Sequence, residues 1–218
     1  MITILSTKKL KKSDKNLFSE TNFKVIEEEF IQIKNINFKI ESLNDYLIFT
    51  SKNAVKSVLT KGIQDIIENK KIFCVGQKTK TFLEKKNFIV QECVDYAEDL
   101  GLVISKKYNQ SSFTFFSGNI RKNTLPDLLN ESNIKWNEVV VYQTSLNSKE
   151  IKNEIDGILF FSPSAVESYL TQNTLENKIC FCIGTTTAKA LEYKTKNIKI
   201  ASQPTVENVI KEVLKYYK

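Results

Sequence analysis

Two stretches of this chain are written twice. Ser51 in IFTSKNAVKSVL has its counterpart at Ser162 in FFSPSAVESYL, and Gly76 in FCVGQKTKTFL has its counterpart at Gly184 in FCIGTTTAKAL. The separations, 162 − 51 = 111 and 184 − 76 = 108 residues, nearly agree, so the copies keep their order and spacing. Such a period is far too long for a solenoid. It fits two similar α/β domains of ordinary size. Each copy puts small polar residues directly after an apolar strand, where a helix starts. There α/β proteins bind anions, through free backbone N–H groups and the helix dipole.

Strand and helix patterns alternate through residues 46–131 and again through 157–217. Strands are expected at 2–6, 46–50, 72–75, 88–91, 113–116, 138–144, 157–161, 179–183 and 198–201. Alternation with helices predicts parallel sheets, and continuous apolar runs predict strands covered on both faces. Residues 8–20 read as a polar loop with room for a short helix, and the first part of 23–40 as an extended connection leaving the first domain. The second copy lacks a first strand, and ITILS near the N-terminus is the natural candidate to complete it. The expectation is therefore two similar α/β domains with parallel sheets flanked by helices. One is discontinuous, residues 1–34 plus 146–218, and the other is inserted, residues 35–145. Two crossings would form a hinge, and the cleft between the domains is the default ligand site.

Composition excludes much chemistry. The chain has no histidine, which removes Ser-His-Asp and Cys-His catalysis, HExxH zinc sites and histidine acid/base work. Cys74, Cys93, Cys180 and Cys182 form no CxxC pair and read as buried thiols of a reducing compartment. No run approaches the roughly 18 apolar residues of a membrane span. In MITILSTKKL the short apolar run precedes the charge, the reverse of a signal peptide. A cytoplasmic protein without a membrane partner is expected. Net charge is +7, almost wholly lysine, with Arg121 the only arginine. Scattered lysines without an aromatic-interleaved stripe or a recognisable motif argue against nucleic acid, though a modest pull on polyanions remains.

Polar or glycine residues follow strands at 50–51, 76–79, 117–121, 162–164 and 184–187. Gly76, Gly118 and Gly184 permit tight turns and close approach to backbone, and Ser or Thr caps the next helix. Any one such turn is a plain helix cap. Five at strand ends suggest a ligand with several carboxylates or phosphates. No GxGxxG or GxxxxGK[ST] is present, so neither dinucleotide nor P-loop binding is indicated.

At these residues the chain resembles the uroporphyrinogen-III synthase family. The carrying segments are IFTSKNAV (48–55), CVGQKT (74–79), FFSGNIRKNTLPDLL (115–129), VVVYQT (139–144), FFSPSAVESYL (160–170), IGTTTAKAL (183–191) and SQPTVENVI (202–210), in family order. The resemblance implies two α/β domains joined by a two-stranded linker. It implies cyclisation of hydroxymethylbilane, a linear tetrapyrrole polycarboxylate, with loss of water and inversion of ring D through a spiro intermediate. No cofactor or metal is implied, and a monomer is expected. Because the free bilane closes by itself to the wrong isomer, the enzyme's main task is orientation.

By position, Tyr142 of VYQT matches the family's tyrosine and is the candidate to hydrogen-bond or protonate the departing hydroxyl. An interfacial tyrosine on a linker strand fits the same position. Thr79, Ser162, Ser164, Thr186 and Thr187 match hydroxyls of the substrate site, Ser51 follows by the repeat, and Gly118, Asn119 and Arg121 match a substrate loop. Many members carry Thr-Arg after the first strand, where this chain has Thr7-Lys8, and lysine lacks the bidentate fork. The alternative from another class is a non-catalytic two-domain protein that binds a polycarboxylate or tetrapyrrole.

Overall fold

A computed structural model describes residues 1–19 and 22–218, so the polar loop expected over 8–20 is followed only to residue 19, and Glu20 lies outside the described residues. In chain order the elements are β1 (Ile2–Ser6), α1 (Lys12–Lys15), β2 (Phe23–Glu27), β3 (Ile31–Asn35), β4 (Tyr46–Phe49), α2 (Lys52–Thr60), α3 (Gln64–Ile67), β5 (Lys71–Val75), α4 (Gln77–Glu84), β6 (Val90–Val94), α5 (Ala97–Lys107), β7 (Ser112–Gly118), α6 (Thr124–Glu131), β8 (Lys135–Leu146), β9 (Gly157–Phe160), α7 (Pro163–Leu170), β10 (Ile179–Cys182), α8 (Thr185–Lys189), β11 (Ile198–Ile200) and α9 (Val206–Tyr216). The chain divides into two compact units, Met1–Gln32 with Ser145–Lys218, and Ile33–Thr144. It passes from one unit to the other within β3 and returns within β8, and these two strands are sheet neighbours.

One sheet runs β11-β10-β9-β1-β2 and the other β6-β5-β4-β7-β8-β3. The sequence repeat equates β9 with β4 and β10 with β5. The strand orders then equate β1 with β7 and β2 with β8. β1 does complete the second copy, but not as the missing first strand expected, since β9 matches β4 there; it takes the place of β7 and pairs in parallel with β9, Ile4 opposite Gly157. Alternate strand residues serve opposite faces. Leu5, Ile158, Phe160, Cys180 and Cys182 enter one core cluster with α7 and α8. Ile4, Leu159 and Phe181 enter another with Val209, Ile210 and Val213 of α9. The inserted unit does the same, with Leu47, Phe49 and Cys74 on the α2 and α4 face and Ile48, Phe73 and Phe113 on the α5 and α6 face. Burial pushes the Cys180 and Cys182 thiols up to about 12, so they stay protonated as apolar core groups.

Two more expectations need correction. Residues 23–27 are not a connection but a full strand, β2, in unbroken register with β1 from Ile2 opposite Phe23 to Ser6 opposite Glu27. A parallel neighbour requires a crossover, and α1 with a 3-10 turn at Asn16–Phe18 is the short helix for which the loop reading left room. The strand expected at 88–91 starts instead at Val90. Asn87 is left-handed (φ 63°), and the Phe88 N–H bonds to the Leu83 carbonyl at 3.2 Å. Phe88 is therefore the apolar contact of the turn that ends α4. The same turn ends α6, with Asn133 at φ 54° and the Ile134 N–H on the Leu129 carbonyl at 2.9 Å.

Candidate functional site

In the inserted unit β4, β5, β7 and β8 are parallel, so the residues after their C-terminal ends share one edge of the sheet. After β4, Ser51 caps α2, its Oγ accepting from the Asn53 N–H at 3.1 Å. After β5, Gly76 has φ 83°, a conformation reserved in practice for glycine. Its N–H donates to the Val94 carbonyl at 2.8 Å, and its carbonyl accepts from the Thr79 N–H at 2.9 Å. Thr79 is buried in the first turn of α4, and its hydroxyl has no hydrogen-bond partner among the described residues.

The other unit repeats this edge with differences. Ser162 caps α7, its Oγ accepting from the Ala165 N–H at 3.2 Å, and Ser164 in the first turn is half-buried. Gly184 is extended (φ −177°), so the glycine freedom expected there is needed only at its counterpart Gly76. Thr187 is buried with its N–H on the Gly184 carbonyl at 3.1 Å, and Thr186 beside it is exposed. Side-chain capping, expected of the threonines as well as the serines, comes from Ser51 and Ser162 but not from Thr79 or Thr187. After β1, the Thr7 hydroxyl donates to the Leu159 carbonyl at 2.7 Å. The Lys8 ammonium lies 4.2 Å from the centre of the Phe161 ring, one residue from Ser162.

The loop after β7 is tied to β8. Asn119 Oδ1 accepts from the Thr144 N–H at 2.7 Å, its Nδ2 donates to the Thr144 carbonyl at 3.1 Å, and its N–H donates to the Tyr142 carbonyl at 3.2 Å. Arg121 forms a two-pronged pair with Glu138, Nε to Oε1 at 2.6 Å and Nη2 to Oε2 at 2.7 Å, while its Nη1 bonds Asn123. The Ser117 hydroxyl donates to the same carboxylate at 2.6 Å. Arg121 above all, then Ser117, holds the Glu138 carboxyl below its usual value against the opposing effect of burial. The pair therefore adds stability above the unfolded carboxylate range near pH 4.5, and that contribution is lost as pH falls through the lowered folded value.

Tyr142 sits on β8 beside Gly118. A Cβ built on Gly118 would lie 2.5 Å from the Tyr142 Cε2 and 2.7 Å from its hydroxyl, and nearer still to Cζ. The phenol therefore crosses bare backbone. Among the described residues its hydroxyl has no hydrogen-bond partner, yet none of their side-chain oxygens is both sealed from solvent and unbonded. The hydroxyl thus opens at the strand-end edge.

Sequence reasoning named Gly118, Asn119, Arg121 and Tyr142 but missed Glu138 and the pairing of Asn119 with Thr144. The one signal for Glu138 is a carboxylate opening the apolar run EVVVY, where nothing apolar explains it.

The family model described as uroporphyrinogen-III synthase HemD matches residues 13–211. Among curated proteins none matches the chain. Solved structures share the fold. Uroporphyrinogen-III synthetase from Helicobacter pylori 26695 is 21% identical, with 99% of this chain and 100% of that one covered and a TM-score of 0.77. A mutant uroporphyrinogen III synthase from the extremely thermophilic bacterium Thermus thermophilus is 12% identical, with 100% and 99% covered and a TM-score of 0.69. Among the described residues no helix is long and apolar enough to cross a membrane.

Proposed function

The chain belongs to the uroporphyrinogen-III synthase family, and we propose that within it Tyr142 is the group that meets the departing hydroxyl of the bilane. The family activity is that of a lyase of tetrapyrrole biosynthesis. Hydroxymethylbilane loses water, the macrocycle closes, and ring D is inverted. One observation carries the assignment of Tyr142. At the strand-end edge its phenol is unbonded, while the neighbouring Ser117, Asn119, Arg121 and Glu138 side chains are each bonded within the protein. A phenol is a weak acid, so it polarises the leaving hydroxyl and hands over a proton only as the C–O bond breaks.

The turns of each unit bind the substrate's carboxylates. Ser51 and Ser162 accept a cap bond and keep their own O–H to donate. Thr79, Ser164, Thr186 and Thr187 add hydroxyls, and the backbone in the first turns of α2, α4 and α7 adds N–H donors. An excess of +7 charge draws a polyanion toward the protein. Most of the rate advantage comes from holding both ends of the bilane in one geometry. The reading extends to a monomer without membrane or nucleic-acid partners, and to the cytoplasm, the last of these supported by four free thiols.

The test is to give the purified chain hydroxymethylbilane with no added metal or nucleotide and resolve the oxidised isomers. Type III product is expected. Type I alone, at the spontaneous rate, would overturn the reading. A second expected outcome concerns binding. Thr79→Ala and Thr187→Ala should each weaken binding of uroporphyrinogen III about fivefold, the worth of roughly 1 kcal/mol for one hydrogen bond. Anaerobic titration calorimetry measures this. Unchanged affinity in Thr187→Ala would remove that turn from the binding set.

A further inference from the structure

We infer that Gly118 and a bulge at Val141 together seat Tyr142, and that Asn119 and Arg121 hold this arrangement rather than contact substrate, an inference resting on the role of Tyr142 given above. Side chains of a regular strand alternate between faces. β8 obeys this through Val139 (8% exposed), Val140 (36%) and Val141 (0%). The next residue should face outward, as Val140 does. It does not, because the ladder slips: Ser117 pairs with Val140, and Gly118 pairs with Tyr142, leaving Val141 as an extra residue. A bulge of this kind re-aims the side chain that follows. Tyr142 consequently joins the core cluster that already holds Val139 and Val141.

The re-aimed ring crosses the neighbouring strand at residue 118, and only a residue without Cβ leaves room there. Ordinary carbon contact needs about 3.5 Å, so a methyl group at 118 would displace the phenol by about 1 Å. The slip is fixed from both sides. Asn119 continues the ladder past the end of β7 by bonding both backbone groups of Thr144, two residues beyond Tyr142. Arg121 fixes Glu138, four residues before it. In these bonds Asn119 commits its amide oxygen and one N–H and Arg121 three of its five N–H donors, so both side chains are held in place against β8 and the loop beside it.

The experiment uses the full chain with tyrosine labelled on the ring. In the wild type, a nuclear Overhauser contact between the Tyr142 ring and the Gly118 α-protons is expected. Gly118→Ala should lower kcat about 10-fold with KM unchanged, since an ångström of misplacement is enough to cost rate of this order, and should cost nothing further in a Tyr142→Phe background. Asn119→Ala and Arg121→Lys should lower kcat with KM unchanged and weaken the same contact. If Gly118→Ala does not fold, Asn119→Ala carries the test. A raised KM with unchanged kcat in Asn119→Ala, or an equal loss from Gly118→Ala in both tyrosine and phenylalanine backgrounds, would overturn the inference. Absence of the contact in the wild type would overturn it whatever the activity. If the wild type yields only type I isomer, the functional reading fails while the contact still decides whether Tyr142 is seated on Gly118.

Discussion

Tyr142→Phe is expected to lower turnover of hydroxymethylbilane about 100-fold while leaving the fold intact. The change removes one oxygen and keeps the ring that packs among Val139, Val141 and Phe116. Because that oxygen bonds nothing in the protein among the described residues, its loss leaves no orphaned partner and stability should hardly move. A positioned acid or polariser contributes about 10²–10⁴-fold, and a substrate that closes readily by itself places this case at the low end. The product that does form should carry more type I isomer, since slow enzymatic closure competes with the spontaneous one. Single-turnover kinetics with isomer analysis measure both. Wild-type turnover in the mutant would return Tyr142 to the status of a packed strand residue.

Phe73→Ala should be the most destabilising of the simple truncations, by about 3–5 kcal/mol. Phe73 is fully buried at the centre of an aromatic group in the inserted unit. Its ring centre lies 5.2 Å from Tyr46, 4.8 Å from Tyr108 and 5.2 Å from Phe113, all at steep angles. Steep edge contacts of this kind add to the value of the buried area. Removing the ring leaves a cavity walled by side chains from β4, β7 and the end of α5, which belong to different elements and cannot close on it together. Urea unfolding followed by tyrosine fluorescence reads the loss. A shift below about 1 kcal/mol would show that the walls collapse, against the close packing argued here.

Much of this was legible because the repeat marked equivalent strand ends. IFTSKNAV and FFSPSAV located β4 with β9, and the serines after them cap helices in both units. What escaped was set by contacts that no local pattern encodes. Phe88 looks like a strand residue because it is apolar, yet the left-handed Asn87 makes it the end of a helix turn. β2 looks like a linker because FKVIE is half polar, and only pairing with β1 and the edge position make that composition reasonable for a strand. At the site, VYQT pointed to Tyr142 but not to its direction. Alternation from Val139 would turn it outward, and the slip opposite Gly118 reverses this. Arg121 read as a ligand for carboxylates, which its chemistry supports, and the carboxylate beside it is the protein's own Glu138.

The place of β1 also governs how the chain is made. β1 lies inside its sheet, with β2 on one side and β9 on the other, and Thr3 bonds Asp156 at a sequence distance of 153 residues. The inserted unit needs only residues 33–144 and can be complete while β9 is still untranslated. At roughly 5–20 residues per second, β1 then waits on the order of ten seconds for its second neighbour. Throughout that interval the apolar segment ITILS keeps an open hydrogen-bonding edge, the kind of edge that recruits foreign strands. Among the strands of this protein, one of the earliest to leave the ribosome is among the last to be enclosed. A nascent chain stalled before β9 should accordingly be held by a chaperone through β1, while its inserted unit is already folded.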